Sequence, residues 1–300
     1  MTYDVVIVGG SAAGLSAALM LTRSRRRVAV VDSGEPRNSP AQHVHGFLTR
    51  EGISPTELLD AGRAEVVEYG GTIINDRARA IEPKSNGFLV RCGTAELETR
   101  SVLVATGLHD ELPDIPGVAE QWGIDVLHCP YCHGHEVRDT PIAVIGGDNR
   151  PFSVHQAALL RQWSSDIVFF TNTIELTTEE RKRISPRARI IDGRVSHIAT
   201  QDGRVRAVAL ENGDSISRAS VFVGPRFIPR DELLTDLGCE TTEDGWVTVD
   251  PTGRTSVPGV WAAGNVVDSA AQLVNSVAAG SKAGIALNHY LLELDIHEAN

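Results

Sequence analysis

In Val5-Val6-Ile7-Val8-Gly9-Gly10-Ser11-Ala12-Ala13-Gly14 a β-branched apolar run gives way to a glycine-rich turn. Four consecutive residues of the first kind predict a strand buried on both faces. After the turn, Ala17, Ala18, Leu19 and Leu21 predict a helix of small residues, and Val28-Ala29-Val30-Val31 a second strand that ends at Asp32. Strand, turn, helix, strand and terminal acid make one βαβ unit. A phosphate-binding turn asks for glycine at its first, third and sixth positions; here they are Gly9, Ser11 and Gly14, with Gly10, Ala12 and Ala13 between them. Backbone N–H groups and the positive end of the helix dipole hold the pyrophosphate at such a turn. Ser11 is small enough to let the backbone approach, although it weakens the match. Asp32, 18 residues past Gly14, is placed to accept a hydrogen bond from a ribose 2′-hydroxyl. The competing reading is a tight strand–helix turn with no ligand, and Asp32 decides against it.

A similar unit recurs in mid-chain: Ile142-Ala143-Val144-Ile145, Gly146-Gly147, a helix through Ala157, Ala158, Leu159 and Leu160, then Ile167-Val168-Phe169-Phe170. Two such units predict an α/β architecture of two dinucleotide-binding, Rossmann-like domains. Short strands are expected over Phe88–Arg91, Val102–Ala105, Arg204–Leu210, Ser220–Val223 and Val247–Val249. Leu112-Pro113-Asp114-Ile115-Pro116-Gly117 reads as a hinge and Glu243-Asp244-Gly245 as a second crossing between domains. This gives a first domain of residues 1–112 and 246–300 around an inserted domain of 113–245. The 300 residues, 42% of them apolar, are ample for two cores. A net charge of −11 opposes binding to nucleic acid or anionic lipid. Four cysteines are too few for a disulfide scaffold. Met1 to Gly10 lacks the basic and apolar regions of a signal peptide, and no apolar run approaches the ~20 residues of a membrane span. A cytoplasmic location is expected.

Towards the far end, Thr255-Ser256-Val257-Pro258-Gly259-Val260-Trp261-Ala262-Ala263-Gly264-Asn265 precedes a helix of small residues from Val274 to Ala286. This segment resembles the second FAD-binding signature of the pyridine nucleotide–disulfide oxidoreductases, as does Val102-Leu103-Val104-Ala105-Thr106-Gly107. The resemblance implies FAD, held by the first turn with Ala105, Thr106, Gly107, Gly264, Asn265, Gln272 and Leu273. The family has aspartate where this chain has Asn265, whose amide can accept the same hydrogen bond from the ribityl chain.

Cys129-Pro130-Tyr131-Cys132 is the chemical centre of the sequence, and four readings of it compete. Pro130 suits the first position of a helix, whose N-terminus favours a thiolate at Cys129. With His133 the segment also fits a c-type haem attachment pattern, but that requires export, and Met1 and Met20 are the only methionines available as axial ligands. Zinc would use His128, His133 and His135 with the pair, yet Cys92 and Cys239 are isolated and no second Cys-x-x-Cys exists; no metal is expected. In glutaredoxins the tetrapeptide follows the first strand of a short chain, a different context. A flavin-coupled dithiol just ahead of the second nucleotide unit resembles the low-molecular-weight thioredoxin reductases. That likeness covers nearly the whole chain, including Gly224 and the Leu237-Gly238 turn. It implies that Cys132 exchanges electrons with the flavin, that Cys129 exchanges with the external sulfur, and that the protein is a homodimer.

Three departures from that family matter. Its acid after the second cysteine is replaced by His133, an imidazole whose ordinary pKa of ~6.5 suits it to accept a thiol proton. The alternative is a mere helix cap. His135 and Glu136 lie near enough in sequence to support it. In the second turn, Asp148 and Pro151 occupy the third and sixth positions with Arg150 between them, so one N–H is lost and a negative charge introduced. The strand after it ends at Thr171-Asn172-Thr173, followed by Glu175, without the His-Arg-Arg cluster that holds a 2′-phosphate; the basic run Arg181-Lys182-Arg183 comes later. NADPH is therefore not expected. Together these features resemble the thioredoxin-reductase-like dithiol oxidases, which close disulfides in products such as gliotoxin or holomycin. The resemblance implies a small-molecule dithiol substrate and dioxygen as acceptor. The alternatives are a reductase of thioredoxin-like proteins fed by NADPH or another donor, and a flavin redox sensor without turnover. Gln42-His43-Val44-His45-Gly46-Phe47 either borders the flavin and substrate or is an ordinary loop.

Overall fold

The computed structural model describes residues 2–186 and 188–299. The chain begins with β1 (Tyr3–Val8), α1 (Ala12–Arg23) and β2 (Val28–Asp32). Helix α1 stops at Ser24 because Arg25 takes a positive φ of 63°, which a right-handed helix cannot continue. Next come α2 (Pro55–Glu68), β3 (Thr72–Asn75), β4 (Ala78–Lys84), β5 (Gly87–Cys92) and β6 (Glu96–Val104). After β7 (Leu108–Glu111) the chain runs through β8 (Val126–Leu127), α3 (Pro130–His133), β9 (Ile142–Ile145), α4 (Arg150–Leu159), β10 (Ile167–Phe170), α5 (Thr178–Ile184) and β11 (Arg189–Ile191). An antiparallel meander of β12 (Val195–Gln201), β13 (Arg204–Leu210) and β14 (Ser215–Ser217) leads to β15 (Ser220–Val223). The return passes β16 (Arg226–Pro229), α6 (Glu232–Thr235) and β17 (Val260–Ala262) into α7 (Leu273–Glu298).

These elements form two compact units, one of Met1–Ser39, Pro55–His109 and Ile228–Asn300, the other of Pro40–Ser54 and Asp110–Phe227. The first holds a seven-stranded sheet ordered β3-β2-β1-β6-β5-β4, with β17 also on β6. Alternate residues of β1 leave for opposite faces. Val5 and Ile7 pack with Ala17, Ala18 and Leu21 of α1 and with Ala283, Leu287 and Leu291 of α7. Val6 and Val8 pack with Val90, Val260 and Leu234. Both faces are covered, which is why β1 reads as an unbroken apolar run; each such burial contributes about 2 kcal/mol.

The second unit holds a five-stranded parallel sheet ordered β11-β10-β9-β15-β8. On one face Val144, Phe169 and Phe222 pack against Val154, Ala157 and Leu160 of α4 and its continuation. On the other, Ala143, Val168 and Val221 pack against Ile198, Val205 and Val208 of the meander. The fold is thus α/β with Rossmann-type sheets in both units, the second closed on one side by strands.

Several sequence expectations shift. Val247–Val249 is not a strand: Val247 makes a single bridge to Thr241, because Thr248 N–H donates to Glu240 O and Thr242 N–H to Trp246 O within a local turn. Glu243-Asp244-Gly245 lies in that turn, inside the first unit. The return crossing instead falls at Phe227–Ile228, since Leu233, Leu234 and Cys239 enter the first unit's core. Residues 228–245 therefore leave the expected inserted domain. Leu112–Gly117 is anchored, with Ile115 and Val118 in the second unit's core. Pro40–Ser54, expected in the first domain, groups with the second unit.

Candidate active site

Two sets of predicted residues lie in different units. In the first unit the turn after β1 is built by close approach. Gly9 has φ +106°, and a Cβ there would overlap the carbonyl oxygen of Ala105. A Cβ on Gly14 would overlap the Gly9 carbonyl, and one on Gly10 would come 2.8 Å from the Asp32 side chain. Ser11 is the N-cap of α1 and makes no side-chain capping bond, so Ala12 and Ala13 begin the helix with N–H groups still to satisfy. Across the cradle, Gly264 (φ +83°) sits where a Cβ would be 3.0 Å from that of Ala13. Thr106 Oγ1 donates to the Arg230 carbonyl at 2.5 Å, and the Gly107 carbonyl accepts from Arg230 N–H at 3.0 Å. Asn265 Nδ2 donates to Asp268 O and Ala271 O at 2.8 and 2.9 Å, which turns Oδ1 towards Arg37 Nη1 at 3.3 Å. Gln272 caps α7 in a reciprocal arrangement with Asn275, and Leu273 opens that helix. Glycines that a Cβ would fill, a helix start without its cap and a carboxylate at the end of β2 fit a dinucleotide.

Two arginines of this cradle were not singled out from sequence. Arg63 of α2 donates to Asp32 Oδ2 at 3.0 Å, and Arg37 meets Asn265. Neither belongs to a motif; only folding brings them to the predicted residues.

In the second unit Cys129 is the N-cap of α3 and Pro130 its first residue. The Cys129 carbonyl accepts from Cys132 N–H and His133 N–H, both at 3.1 Å, so the one-turn helix stacks the two sulfurs at 2.7 Å. Both are half-buried. Only four residues long, α3 brings a small dipole to Cys129, so assistance falls more heavily on side chains. His133 is half-buried, and its buried Nδ1 has no hydrogen-bond partner among the described residues. Burial pushes its imidazole below the ordinary histidine range, the charge of His45 pushes the same way, and Glu136 opposes them. The ring is therefore neutral near pH 7 and able to take a proton. Gly134 lies under Trp163, where a Cβ would meet the indole at 2.7 Å, and exposed Tyr131 meets the same indole edge-on at 5.9 Å.

The loop at residues 42–47 is tied to this segment. His45 stands edge-on to His133 with ring centroids 6.5 Å apart; its Nδ1 is 2.6 Å from Glu51 Oε1 and its Nε2 3.7 Å from Glu136 Oε1. The hydrogen bond from His45, then one from Gly46 N–H, hold Glu51 below the usual carboxylate range. Glu51 carried no signal beyond lying six residues after a His-x-His. Among the described residues no three His, Cys, Asp or Glu side chains converge as a metal site.

At the second nucleotide turn Pro151 stands in the first turn of α4. Arg150 Nε and Nη2 reach the two carboxylate oxygens of Glu180 at 3.1 and 2.5 Å, holding Glu180 down to about 2. Arg181 pairs with Asp192. Phe152 and Phe227 meet edge-on at 5.8 Å, and Trp122 stacks on His128 at 5.6 Å.

Known proteins resemble the chain over its full length. It is 31% identical over 313 residues to thioredoxin reductase sirT of Leptosphaeria maculans, covering 98% of this chain and 96% of that one. The crystal structure of HlmI superposes with a TM-score of 0.96 at 51% identity, covering 99% and 95% of the two chains. That of a putative thioredoxin reductase TrxB from Bacillus anthracis does so with a TM-score of 0.93 at 32% identity, covering 98% and 99%. The protein is an enzyme, a flavin-carrying oxidoreductase, and FAD is the dinucleotide that its first cradle fits. No described helix is long and apolar enough to cross a membrane. Residues 3–280 match the model of the pyridine nucleotide-disulphide oxidoreductases, and the chain belongs to that family.

Proposed function

We propose that this enzyme is a dithiol oxidase, which closes a disulfide in a thiol-bearing substrate and gives the electrons to dioxygen. The observation that carries this reading is the second nucleotide turn. Pro151 withholds an N–H, Arg150 and Arg181 are each bound to an acid, and Asp148 and Glu175 add negative charge where NADPH would need positive. Electrons then enter through sulfur.

Cys129 and Cys132 begin as a disulfide. A substrate thiolate attacks Cys129, the Cys129–Cys132 bond breaks, and the second substrate sulfur displaces Cys129 to leave a substrate disulfide and two enzyme thiols. His133 takes a proton from the attacking thiol and returns one to the leaving sulfur. Gly9, Ser11, Gly14, Asp32, Gly264 and Asn265 would hold FAD, which when bound would supply the two-electron acceptor that lets the pair return to disulfide. Two electrons and two protons then convert dioxygen to hydrogen peroxide. Exposed Tyr131 and the half-buried sulfurs suit a small-molecule dithiol, and a thioredoxin-like protein is the other substrate class. Ile285, Leu292 and Ile296 make an exposed apolar stripe on α7 that supports a homodimer. A cytoplasmic location agrees with a chain that has only four cysteines in 300 residues.

Anaerobic stopped-flow absorbance tests the reading. A simple dithiol should bleach the flavin and NADPH should not, with one dioxygen consumed per disulfide once air is admitted. Bleaching by NADPH alone would instead favour a disulfide reductase, the reading that the names of the sirT and TrxB relatives support.

A further inference from the structure

The loop that carries His45 is built to hold it. Val44 is buried, its N–H donates to Ile53 O at 2.8 Å, and its carbonyl accepts from Gly52 N–H at 2.9 Å. Glu51 spends one carboxylate oxygen on His45 Nδ1 at 2.6 Å and the other on Gly46 N–H at 2.8 Å. An ionised carboxylate can only accept, so Nδ1 carries the ring's proton and Nε2 is its basic nitrogen. That nitrogen lies 3.7 Å from Glu136, and the ring stands 6.5 Å from His133. Among the described residues, the charged and titratable groups that act on the pair or on Glu51 are His43 and Glu51 on the loop, and His135 and Glu136 on the segment that carries His133.

Two imidazoles this close do not both carry charge cheaply. His133 has a buried, unpartnered nitrogen, whereas His45 stands between two carboxylates that would attend a positive charge on its ring. We propose that His45, fixed by Glu51, is a positioning residue for His133: it relays to solvent the proton that His133 takes from a thiol. An S–H bond breaks, the proton goes to a His133 nitrogen, and a water passes it to His45 Nε2. His133 returns to neutral, and the His45 proton leaves past exposed Glu51. No electrons move in this step. The inference rests on the thiol-driven reaction proposed above.

The test is the rate of flavin bleaching by a dithiol without air, followed across pH in dilute buffer for wild type, His45→Gln and Glu51→Gln, each with and without added imidazole. Both variants should keep their flavin and slow about tenfold, His45→Gln the more. Imidazole should restore His45→Gln towards the wild-type rate and move its pH profile back. A variant that tracks wild type, or a loss that imidazole leaves unchanged, overturns the relay alone. A wild-type flavin inert to dithiol overturns the thiol-driven reading beneath it.

Discussion

Cys132→Ser leaves Cys129 without a sulfur to close upon, so multiple turnover of a dithiol should vanish while FAD stays bound. Product disulfide counted per enzyme checks this, and unchanged turnover would show that the pair is not the electron route. His133→Gln should slow thiol oxidation by about 10²–10³, the range for a lost general base. The sign of its pH dependence follows from its surroundings. Burial and the charge of His45 lower the His133 pKa, so its basic form persists below ~6.5 and the rate falls only as pH drops through that lowered value. A pH–rate profile of the half-reaction with dithiol reads it directly, and a fall centred above ~6.5 would remove His133 as the base. Cysteine spacing and the neighbouring imidazole are legible in sequence because their chemistry sits within five consecutive residues. His45, Glu51 and Arg63 are not, since their partners lie 31 to 91 positions away or across a loop whose course no local pattern fixes.

Between elements the same division holds. β1, α1 and β2 are legible because each repeats its own period and the turn between them has a steric requirement. Val247–Val249 has strand-like residues yet no neighbouring strand to pair with, which propensity alone does not reveal. The return crossing is not legible for a related reason: Gly245 marks a turn, but a turn does not say which core its flanks enter. Gly14→Ala tests the steric argument. The new methyl overlaps the Gly9 carbonyl, so β1 and α1 must part, at a cost of about 3 kcal/mol. The purified variant should carry little FAD by its visible-to-ultraviolet absorbance ratio, and full flavin content would show that the turn tolerates widening.

Across the molecule, two nucleotide units are visible in the sequence, while of the meander that closes the second sheet only Arg204–Leu210 carries a legible strand pattern. Replacing Ile285 and Leu292 together by glutamate should shift sedimentation from dimer to monomer without unfolding the unit, because both side chains are already more than two-fifths exposed. A wild-type monomer would remove the proposed homodimer.

Helix α7 meets α1 through small residues: a Cβ on Gly280 would overlap the Ala13 carbonyl, and Ser16 Oγ donates to Val277 O at 2.8 Å. β17, just before it, lies against β6. The pyrophosphate turn leaves the ribosome well before the strand and helix that wall it, because they lie far downstream in the chain. Colour must therefore wait for that wall, and a polypeptide stopped before residue 260 should purify pale however much FAD the medium holds.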